Sequence, residues 1–553
     1  MKPQVDYSLY LVTDSTDAIL GRRDLIEVVE QAIQGGVTVV QYRDKTSGTG
    51  ILVDTARKLH RICQQYQIPL IINDRVDVAL AIGCEGVHLG QDDMDVANAR
   101  TVLGQDKIIG ATVSSIDEAH TAVGKGADYL GIGTLYSTAT KKDTKNIIGI
   151  NGIRKILYYL DHQGDSAFKN IKTVCIGGVN ASNLQRVNYQ LFAPSTSESP
   201  KTIDGVAIVS AIMAAEDPSE AAKQLKELLN TPPPFKAKSN EPVFWHEKQE
   251  DELEEIQRQA RRAVETIHNL SPLSHNMTNL VVQNFAASVA LAIGASPIMS
   301  NNGAEAEDLA KLGGGLVINM GTATLDSINN HRLAIAAYNT AGGPIVLDPV
   351  GAGATTARRD ALDFLMASGY FDLVKGNERE IMAVARASGL ILQDASQQRG
   401  VDSGDSILSL GQKAYLVQRI AARERNIVLM TGATDIISDG IRTYAINNGH
   451  PYLGMVTGSG CTLGTTLAAY MAANPQNKLY AAIAGILHFE IAAERAAVRE
   501  DVRGPGTFIP AFIDELYSFR TGVLGEPSGG VGGGINVKVL RDIPDAGNLV
   551  REL

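Results

Sequence analysis

The most informative residues in the first half of the sequence are those that could bind a phosphate together with a metal ion. Gln41, Arg43 and Lys45 are spaced by two, so they share one face of an extended chain and place two cations on one side. Asp74 and Asp93 are carboxylates in later loops, and Mg²⁺ prefers carboxylate, water and phosphate oxygens. Taken singly, each of these residues also fits a solvated strand end or a turn. They indicate a binding site only if the fold brings them close together.

A second phosphate site is indicated by hydroxyls, ammonium groups and glycines further along the chain. Glycine-rich turns and helix N-termini bind phosphate through backbone N–H groups, and hydroxyl and ammonium groups bind its oxygens as well. The residues concerned are Thr138, Thr140, Lys141, Gly178, Val209 and Ser210. His88 is the one candidate base in this half, and a structural role is the preferred interpretation of this histidine.

The second half contains a glycine-rich turn, 456–464, that leads to Cys461 and an Ala-rich helix. A thiol at a helix N-terminus is expected to have a depressed pKa and could accept the proton of an alcohol, although a buried inert thiol is the commoner case. Asn377 and Glu380 are three apart, a spacing that can hold Mg²⁺ through water near ATP. Arg358 could neutralise phosphate charge, and no P-loop sequence is present.

The elements that must position these residues alternate between short β-branched runs and amphipathic helices. Eight runs in about 230 residues suit a (β/α)8 barrel, in which polar residues at the strand ends meet at one mouth. A doubly wound open sheet is the alternative, although it seldom needs eight equal units. The predicted strands are 8–13, 37–41, 70–73, 86–89, 108–112, 129–132, 173–176 and 205–209.

Three prolines at 232–234 end the barrel domain, 1–230, and predict a linker over 231–242, because proline cannot continue a helix. The segment 243–523 again alternates strands and helices, which predicts an α/β domain with a sheet covered on both faces. We expect the glycine-containing tail, 524–553, to be mobile at least in part. The predicted strands of the second domain are 296–299, 316–320, 344–347, 373–374, 427–430 and 436–438.

The composition excludes several classes of partner. The formal net charge of −11 argues against nucleic acid or an anionic membrane, because both repel an acidic protein. No apolar run is long enough for a transmembrane helix, and the N-terminus lacks the pattern of a secretory signal. The cysteines are scattered without metal-binding spacing, so we expect reduced thiols in a cytoplasmic protein that acts on small molecules.

Together, the polar segments of the first half resemble thiamin phosphate synthase over nearly all of residues 5–228. The segments are 41–45 (QYRDK), 73–74 (ND), 90–93 (GQDD), 138–143 (TATKKD) and 176–178 (IGG). This family joins a pyrimidine-methyl diphosphate to a thiazole phosphate and expels pyrophosphate. The resemblance implies a TIM barrel that needs no protein nucleophile, with Mg²⁺, Arg43 and Lys141 stabilising the departing diphosphate.

The same resemblance implies how the barrel residues divide between two ligands and a metal. The pyrimidine diphosphate would be held by Gln41, Arg43, Lys45, Asn73, Thr112 and Lys141. The thiazole phosphate would be held by Thr138, Thr140, Gly178, Val209 and Ser210. Asp74 and Asp93 would bind Mg²⁺. Thr112 stands where the family usually has serine, and it keeps the hydroxyl.

The second half resembles hydroxyethylthiazole kinase, of the ribokinase-like fold, over about 255–520. The segments are 274–279 (SHNMTN), 294–299 (GASPIM), 348–351 (DPVG), 375–380 (KGNERE) and 458–461 (GSGC). The resemblance implies that Met299 and Gly458 contact the thiazole alcohol, and that Arg358 and Thr431 contact ATP. Cys461 would accept the proton, where the wider group usually has Asp. The family forms trimers with sites between subunits, which implies a homo-oligomer, and Mg²⁺ is expected in both halves.

The two resemblances predict consecutive steps, because a thiazole phosphate made by the kinase is a substrate of the synthase. Three alternatives remain: a tautomerase-like barrel without coupling activity, a kinase for another ring alcohol, and a thiamin-sensing protein without turnover. Asp74, Asp93 and the 41–45 cluster disfavour the first, while Met299 and Cys461 disfavour the second. The intact motifs of both halves disfavour the third.

Overall fold

The chain folds into two units, Met1–Pro233 and Pro234–Leu553. The computed structural model describes residues 2–136, 147–193, 200–236, 246, 248–321, 323–392, 407–525, 534–546 and 550–552. Each unit has hydrophobic core clusters of its own. Within the described ranges, no helix is long and apolar enough to cross a membrane.

Eight parallel strands close the first unit into a barrel in sequence order, β1 beside β2 and finally beside β8. The predicted (β/α)8 barrel is therefore confirmed, and the open-sheet alternative is excluded. The strands are β1 Leu9–Val12, β2 Val39–Tyr42, β3 Leu70–Asn73, β4 Gly86–Leu89, β5 Ile108–Val113, β6 Tyr129–Gly133, β7 Lys172–Ile176 and β8 Gly205–Ile208.

The barrel helices begin and end at the residues that favour helix termini. The Asp24 carboxylate accepts the first backbone N–H groups of α1, and Asp217 with Pro218 begins α10 in the same way. Gly83 ends α3 in the left-handed conformation at φ 72°, which glycine adopts without strain. The helices are α1 Leu25–Gln34, α2 Thr49–Gln65, α3 Val76–Ile82, α4 Val96–Leu103, α5 Ile116–Gly124, α6 Gly149–His162, α7 Ser166–Asn170, α8 Leu184–Gln190, α9 Ser210–Met213 and α10 Pro218–Asn230.

The second unit is built on a nine-stranded sheet with the order β10-β9-β11-β12-β13-β15-β16-β17-β18. Its strands are parallel as far as β15 and antiparallel from β15 to β18. The strands are β9 Leu273–Met277, β10 Ser296–Ile298, β11 Gly315–Asn319, β12 Ile345–Asp348, β13 Leu373–Asn377, β15 Ile427–Thr431, β16 Asp435–Ser438, β17 Thr443–Ile446 and β18 Val537–Val539. A separate antiparallel pair joins β14 Leu390–Leu392 to β19 Val550–Glu552.

Helices cover both faces of this sheet, as the alternation along β11 shows. Val317 packs into the cluster formed with α11, α12 and α19 to α21, while Leu316 and Ile318 pack with α13 to α17. The predicted α/β layering is therefore confirmed. The helices are α11 Gln249–Leu270, α12 Gln283–Ile293, α13 Ala306–Lys311, α14 Leu325–Ala341, α15 Thr356–Ser368, α16 Glu378–Ala387, α17 Leu410–Glu424, α18 Tyr452–Met455, α19 Ser459–Ala473, α20 Lys478–Ala497 and α21 Pro505–Gly525.

Two segments outside the predicted range of the second domain, 243–523, pack or pair with that domain. Phe235, placed in the linker 231–242, is buried and stacks on Tyr370 with ring centroids 4.4 Å apart, because an aromatic ring after the prolines gains by burial. The sheet does not end at 523, since β18 belongs to the tail 524–553 and pairs with β17. The alternation of buried Val537, exposed Lys538 and buried Val539 explains why this part of the tail is ordered as a strand.

Candidate active sites

The barrel brings Lys45, Asp74 and Asp93 together from the loops that follow β2, β3 and β4. Lys45 Nζ lies 2.5 Å from Asp74 Oδ2, and the Asp74 and Asp93 carboxyls are within hydrogen-bonding reach of each other. Parallel strands end at the same rim, so residues distant in sequence meet there. The structure therefore brings these three charged side chains together at one rim of the barrel.

Local backbone geometry holds the two carboxylates in place. Asp74 has a φ of 61°, a left-handed conformation that costs free energy for a residue with a side chain. Asp93 Oδ2 accepts the backbone N–H of Gly90 at 2.7 Å, which fixes the loop after β4. Burial raises the pKa of Asp93, and the neighbouring Asp74 carboxyl raises it further. The arrangement concentrates negative charge at a place where a cation would relieve it.

Arg43 lies at the same rim beside an acidic residue of the loop after β1. Its guanidinium is 3.7 Å from the buried carboxylate of Asp14, and its backbone N–H donates to Thr13 Oγ1 at 2.9 Å. The guanidinium remains partly exposed, with 27% of its side chain accessible. Arg43 therefore has both a fixed backbone position and donors that can reach a ligand.

A chain of hydrogen bonds crosses the interior of the barrel beneath this rim. Gln41 Nε2 donates to Tyr10 OH at 2.9 Å, and Tyr10 OH lies 2.7 Å from Tyr129 OH. Tyr129 OH lies 2.8 Å from His88 Nδ1, and His88 Nε2 lies 2.8 Å from Thr112 Oγ1. Burial lowers the pKa of His88 to about 4, so this imidazole is neutral at neutral pH. The chain gives His88 the structural role that the sequence favoured.

The remaining barrel candidates are only partly within the described residues. Thr138, Thr140 and Lys141 lie outside them. Gly178 follows β7 with a φ of 70°, and Val209 and Ser210 follow β8, where Ser210 is the first residue of α9. Because β7 and β8 are neighbours in the barrel, these backbone groups lie at one part of the rim. Asn73 ends β3 and pairs with His88 of β4.

In the second unit, the glycine-rich turn leads into the N-terminus of the fifteen-residue helix α19. Gly458 precedes the helix at a φ of 85°, and a Cβ there would lie 2.6 Å from Val282 Cγ2. Only glycine fits both the backbone conformation and the space. The turn therefore directs the first N–H groups of α19, with the positive end of its dipole, at the site of Cys461.

Cys461 belongs to a network of polar side chains from β11, β12, β13 and the loop after β9. Asn279 Nδ2 lies 3.7 Å from Cys461 Sγ and 3.2 Å from Asn319 Oδ1. Asn319 Nδ2 then donates to Asp348 Oδ2 at 2.8 Å, and Lys375 Nζ donates to Asp348 Oδ1 at 2.9 Å. These links place the thiol, two amides and an ion pair at the carboxyl ends of the parallel strands, the usual ligand position in such sheets.

The expected depression of the Cys461 pKa is wrong. Burial raises the pKa of the thiol to about 11, and the Asp348 carboxylate adds to the increase. The Lys375 ammonium acts in the opposite direction but is outweighed. The desolvation of a thiolate therefore exceeds the effect expected from the helix dipole, and Cys461 is protonated at neutral pH.

Sequence reasoning missed Lys375 and Asp348 as site residues, although both stand in the quoted segments. Both side chains are almost fully buried, and the ammonium faces α19: a Cβ on Gly460 would lie 3.9 Å from Lys375 Nζ. A buried ion pair beside a helix N-terminus is costly to desolvate and is seldom kept for stability alone. The available signal was a charged residue within each of two otherwise buried, apolar strands.

Asn377 and Glu380 form a reciprocal cap at the start of α16. The Asn377 side chain accepts the N–H of Glu380, and Glu380 Oε2 accepts the N–H of Asn377 at 2.8 Å. Glu380 Oε1 accepts the N–H of Gly351 at 2.8 Å, and burial raises the pKa of this carboxyl to about 7. The two residues thus form a capping box, and Glu380 also ties the loop after β12 to α16.

The other candidate residues of the kinase unit lie near the carboxyl ends of the parallel strands. Arg358 donates from Nη1 to Val350 O at 2.6 Å and from Nη2 to Gly321 O at 3.2 Å, so it braces two loops. Thr431 ends β15 beside Asn377 of β13. Met299 is half-buried just after β10, the strand at the edge of the sheet.

Two family models match the chain, each within one unit. The model described as thiamine monophosphate synthase matches residues 9–212, and the model described as hydroxyethylthiazole kinase family matches residues 264–521.

Relatives that contain both parts match nearly the whole chain. A probable thiamine biosynthetic bifunctional enzyme of Schizosaccharomyces pombe is 43% identical over 525 residues, covering 94% of this chain and 96% of the relative. The thiamine biosynthetic bifunctional enzyme of Saccharomyces cerevisiae is 36% identical over 547 residues, covering 93% and 96%. Among solved structures, the hydroxyethylthiazole kinase protein of Pyrococcus horikoshii is 33% identical with a TM-score of 0.44, covering 51% of this chain and 99% of that chain.

Proposed function

The chain belongs to the family of thiamine biosynthetic bifunctional enzymes, and from this premise we propose which of its side chains carry the two reactions. It is a bifunctional transferase with a thiamine-phosphate synthase domain and a hydroxyethylthiazole kinase domain. We propose that the second unit phosphorylates 4-methyl-5-(2-hydroxyethyl)thiazole with ATP. The barrel then joins the resulting phosphate to hydroxymethylpyrimidine diphosphate, releasing pyrophosphate and thiamin phosphate.

In the barrel, the pyrimidine diphosphate binds at the rim formed by the loops after β2 to β5. The observation that supports this is the convergence of Lys45, Asp74 and Asp93 with the partly exposed guanidinium of Arg43. Cations around a diphosphate stabilise the charge that grows as it leaves. The proposed ligands are Gln41, Arg43, Lys45, Asn73, Thr112 and Lys141, of which Arg43 and Lys141 act on the leaving group.

Asp74 and Asp93 suit Mg²⁺ at this rim. Two carboxylates within reach of each other are hard oxygen donors, and burial together with the neighbouring Asp74 carboxyl raises the pKa of Asp93. Among the described residues, no cluster of three or more His, Cys, Asp or Glu side chains is present, so substrate oxygens and water would complete the coordination. Once bound, the ion would supply charge neutralisation for the departing diphosphate.

The thiazole phosphate binds at the part of the rim formed after β6, β7 and β8. Neighbouring backbone turns after β7 and β8 support this, because free N–H groups of such turns are suited to phosphate. The proposed ligands are Thr138, Thr140, Gly178, Val209 and Ser210.

In the kinase unit, the phosphoryl group passes between ATP and the alcohol at the N-terminus of α19. Lys375 is the cation buried against this helix, and Cys461 lies beside it on the opening turn. Because the pKa of this thiol is raised, only the minor thiolate form, which arises when Cys461 loses its own proton to solvent, can accept the proton of the alcohol as the alcohol oxygen attacks the phosphoryl group. Met299 and Gly458 are proposed to contact the thiazole, and Arg358, Thr431, Asn377 and Glu380 to border ATP, the last two with Mg²⁺.

We propose a homo-oligomer built on trimers of the kinase unit, located in the cytoplasm. The supporting observation is the pair Leu280 and Val281, which are 76% and 78% exposed. They adjoin Val282, which leaves no room for a Cβ on Gly458. Leu291 of α12 is also exposed, and the strand that follows α12, β10, is an edge strand of the sheet. Exposed apolar side chains around an edge strand next to an active site are suited to contact a second copy.

The match of both units to bifunctional relatives over almost the full chain carries the functional conclusion. The test is to supply the thiazole alcohol, ATP, Mg²⁺ and the pyrimidine diphosphate and to follow thiamin phosphate. Product should require ATP when the alcohol is supplied, and should no longer require it when the thiazole phosphate is supplied directly. Thiamin phosphate formation that needs ATP in both cases would contradict the division of the two reactions.

A further inference from the structure

The hydrogen-bond chain inside the barrel joins two residues that we place in the pyrimidine pocket. Gln41 of β2 stands at one end and Thr112 of β5 at the other, and three buried side chains connect them. We propose that Tyr10, Tyr129 and His88 form a relay that sets the donor and acceptor roles of Gln41 and Thr112 together. This inference rests on the proposed pyrimidine pocket and adds to it three positioning residues that do not touch the ligand.

The direction of the relay follows from the chemistry of its members. The Gln41 amide donates from Nε2, so Tyr10 must use its own proton toward Tyr129, and Tyr129 must use its proton toward His88 Nδ1. A neutral imidazole has one N–H, which His88 then carries on Nε2 and donates to Thr112 Oγ1. The Thr112 hydroxyl is thereby left as a donor. The Gln41 amide also donates to Tyr129, so both of its N–H groups are directed into the relay and its carbonyl oxygen is left for the ligand.

Because the relay is buried, all of its hydrogen bonds must run in the same direction. Tyr10 and Tyr129 are 1% exposed and His88 is 9% exposed, so water has little access to replace a bond that is turned the wrong way. Reversing one link would place two protons or two lone pairs against each other, and every other link would have to reverse with it. The roles of Gln41 and Thr112 are therefore linked through side chains from five strands of the barrel, β1, β2, β4, β5 and β6.

The linked roles define the ligand that the pocket prefers. The carbonyl oxygen of Gln41 can accept a hydrogen bond from a donor on the ligand. The Thr112 hydroxyl can donate a hydrogen bond to an acceptor on the ligand. An aminopyrimidine offers both, because its exocyclic amine donates and its ring nitrogens accept. A pyrimidine with an oxo group in place of the amine offers an acceptor and a ring N–H instead, so the relay disfavours it.

Aromatic packing alone would make a different prediction, and the barrel provides a matched control for it. Tyr7 packs on the Tyr129 ring with centroids 4.9 Å apart but takes no part in the relay bonds. Tyr129→Phe removes one hydroxyl from the centre of the relay, whereas Tyr7→Phe removes one hydroxyl beside it. If the tyrosines served only to fill the barrel, the two variants would behave alike.

The experiment measures coupling kinetics of the full chain for both variants, with the amino substrate and with its oxo analogue. We expect Tyr129→Phe to lower kcat/KM for the amino substrate about ten- to hundred-fold, mainly through KM, because a lost buried hydrogen bond leaves its partners unpaired. The KM for the thiazole phosphate and the kinase rate should stay unchanged. The ratio of amino to oxo kcat/KM should also fall about ten-fold or more, while Tyr7→Phe keeps the wild-type ratio.

Three results would overturn the relay: equal behaviour of the two variants, an unchanged amino-to-oxo ratio in Tyr129→Phe, or a wild-type preference for the oxo analogue. Gln41→Ala separates this failure from failure of the proposed pocket. If Gln41→Ala weakens pyrimidine binding while Tyr129→Phe matches Tyr7→Phe, the pocket stands and the relay is wrong. If Gln41→Ala binds the pyrimidine normally, the pocket itself is wrong, and the relay has no ligand to orient.

Discussion

Replacing Asp93 by Asn should stop coupling while making the barrel slightly more stable in the absence of metal. The Asn side chain keeps an oxygen that can accept the N–H of Gly90, so the loop after β4 retains its shape. The change removes one of two carboxylates that raise each other's free energy at the rim. Activity and stability should therefore move in opposite directions, as expected where a site is kept for function.

The magnitudes follow from charge and exposure. Two unit charges about 4 Å apart repel by ~1 kcal/mol in water and ~4 kcal/mol near a protein surface, and the Lys45 ammonium beside Asp74 offsets part of this. For this partly exposed pair, a gain on the order of 1 kcal/mol is expected, or roughly 2–4 °C in the unfolding temperature of a domain this size. Loss of a metal ligand should cost about 3–4 kcal/mol in the transition state, a roughly 10²- to 10³-fold slower coupling step.

The pH dependence of the stability gain has a defined sign. Because the folded-state pKa of Asp93 is raised, its ionisation opposes folding above the pKa of an unfolded aspartate, about 4. The advantage of the Asp93→Asn variant over the wild type should thus be full above the raised folded-state pKa of Asp93. It should shrink as the pH falls through that pKa and disappear below about 4, the pKa of an unfolded aspartate.

The assay is thermal unfolding in EDTA combined with coupling and kinase rates on one sample. The barrel transition is identified as the one that Mg²⁺ with pyrophosphate shifts upward in the wild type. The kinase rate is the internal control, because Asp93 lies in the other unit. Near-normal coupling, a lower barrel unfolding temperature in EDTA, or equal loss of both activities would refute the reasoning.

Further predictions concern the kinase unit. Cys461→Ala should slow phosphorylation of the alcohol and spare coupling, and an unchanged kinase rate would remove Cys461 from the mechanism. Alkylation of Cys461 by iodoacetamide should accelerate about ten-fold per pH unit from pH 7 to 10, since its pKa is about 11, and a plateau below pH 8 would contradict this. Gly458→Ala should cost about 1–3 kcal/mol of stability and slow the kinase at least ten-fold, because φ is 85° and Val282 is too close; calorimetry and rate measurements test both. Phe235→Ala should destabilise the kinase unit by about 3 kcal/mol through loss of its buried stack on Tyr370, seen as kinase inactivation at lower urea with coupling retained.

Most of the fold was predictable because buried parallel strands leave a clear pattern of apolar runs that end in polar residues. The strand β9 was missed for the opposite reason, since Ser274, His275 and Asn276 are polar and yet buried. Most of their polar side-chain atoms are paired through tertiary structure: Asn276 Oδ1 accepts from Thr465 Oγ1 at 2.7 Å, and His275 Nε2 lies 2.9 Å from Ser300 O. Because the partners are distant in sequence, this pairing leaves no periodic pattern in the local sequence.

The site was predictable where topology alone brings residues together. The rule that strand ends meet at one rim found Lys45, Asp74 and Asp93. It could not foresee that Asn377 and Glu380 cap each other, because the same spacing suits a cap and a metal pair. Nor could it weigh burial against a helix dipole at Cys461, since burial depends on the packed structure.

The strand β18 has a consequence for how the chain can be shortened. Without residues after 525, the backbone groups of Thr443–Ile446 that now pair with Val537–Val539 would face solvent as an open sheet edge. Open edges recruit strands from other molecules, so such a truncated enzyme should aggregate. In the intact chain the outermost strand has only three residues and carries the exposed, charged Lys538 at its centre, which discourages further strand addition.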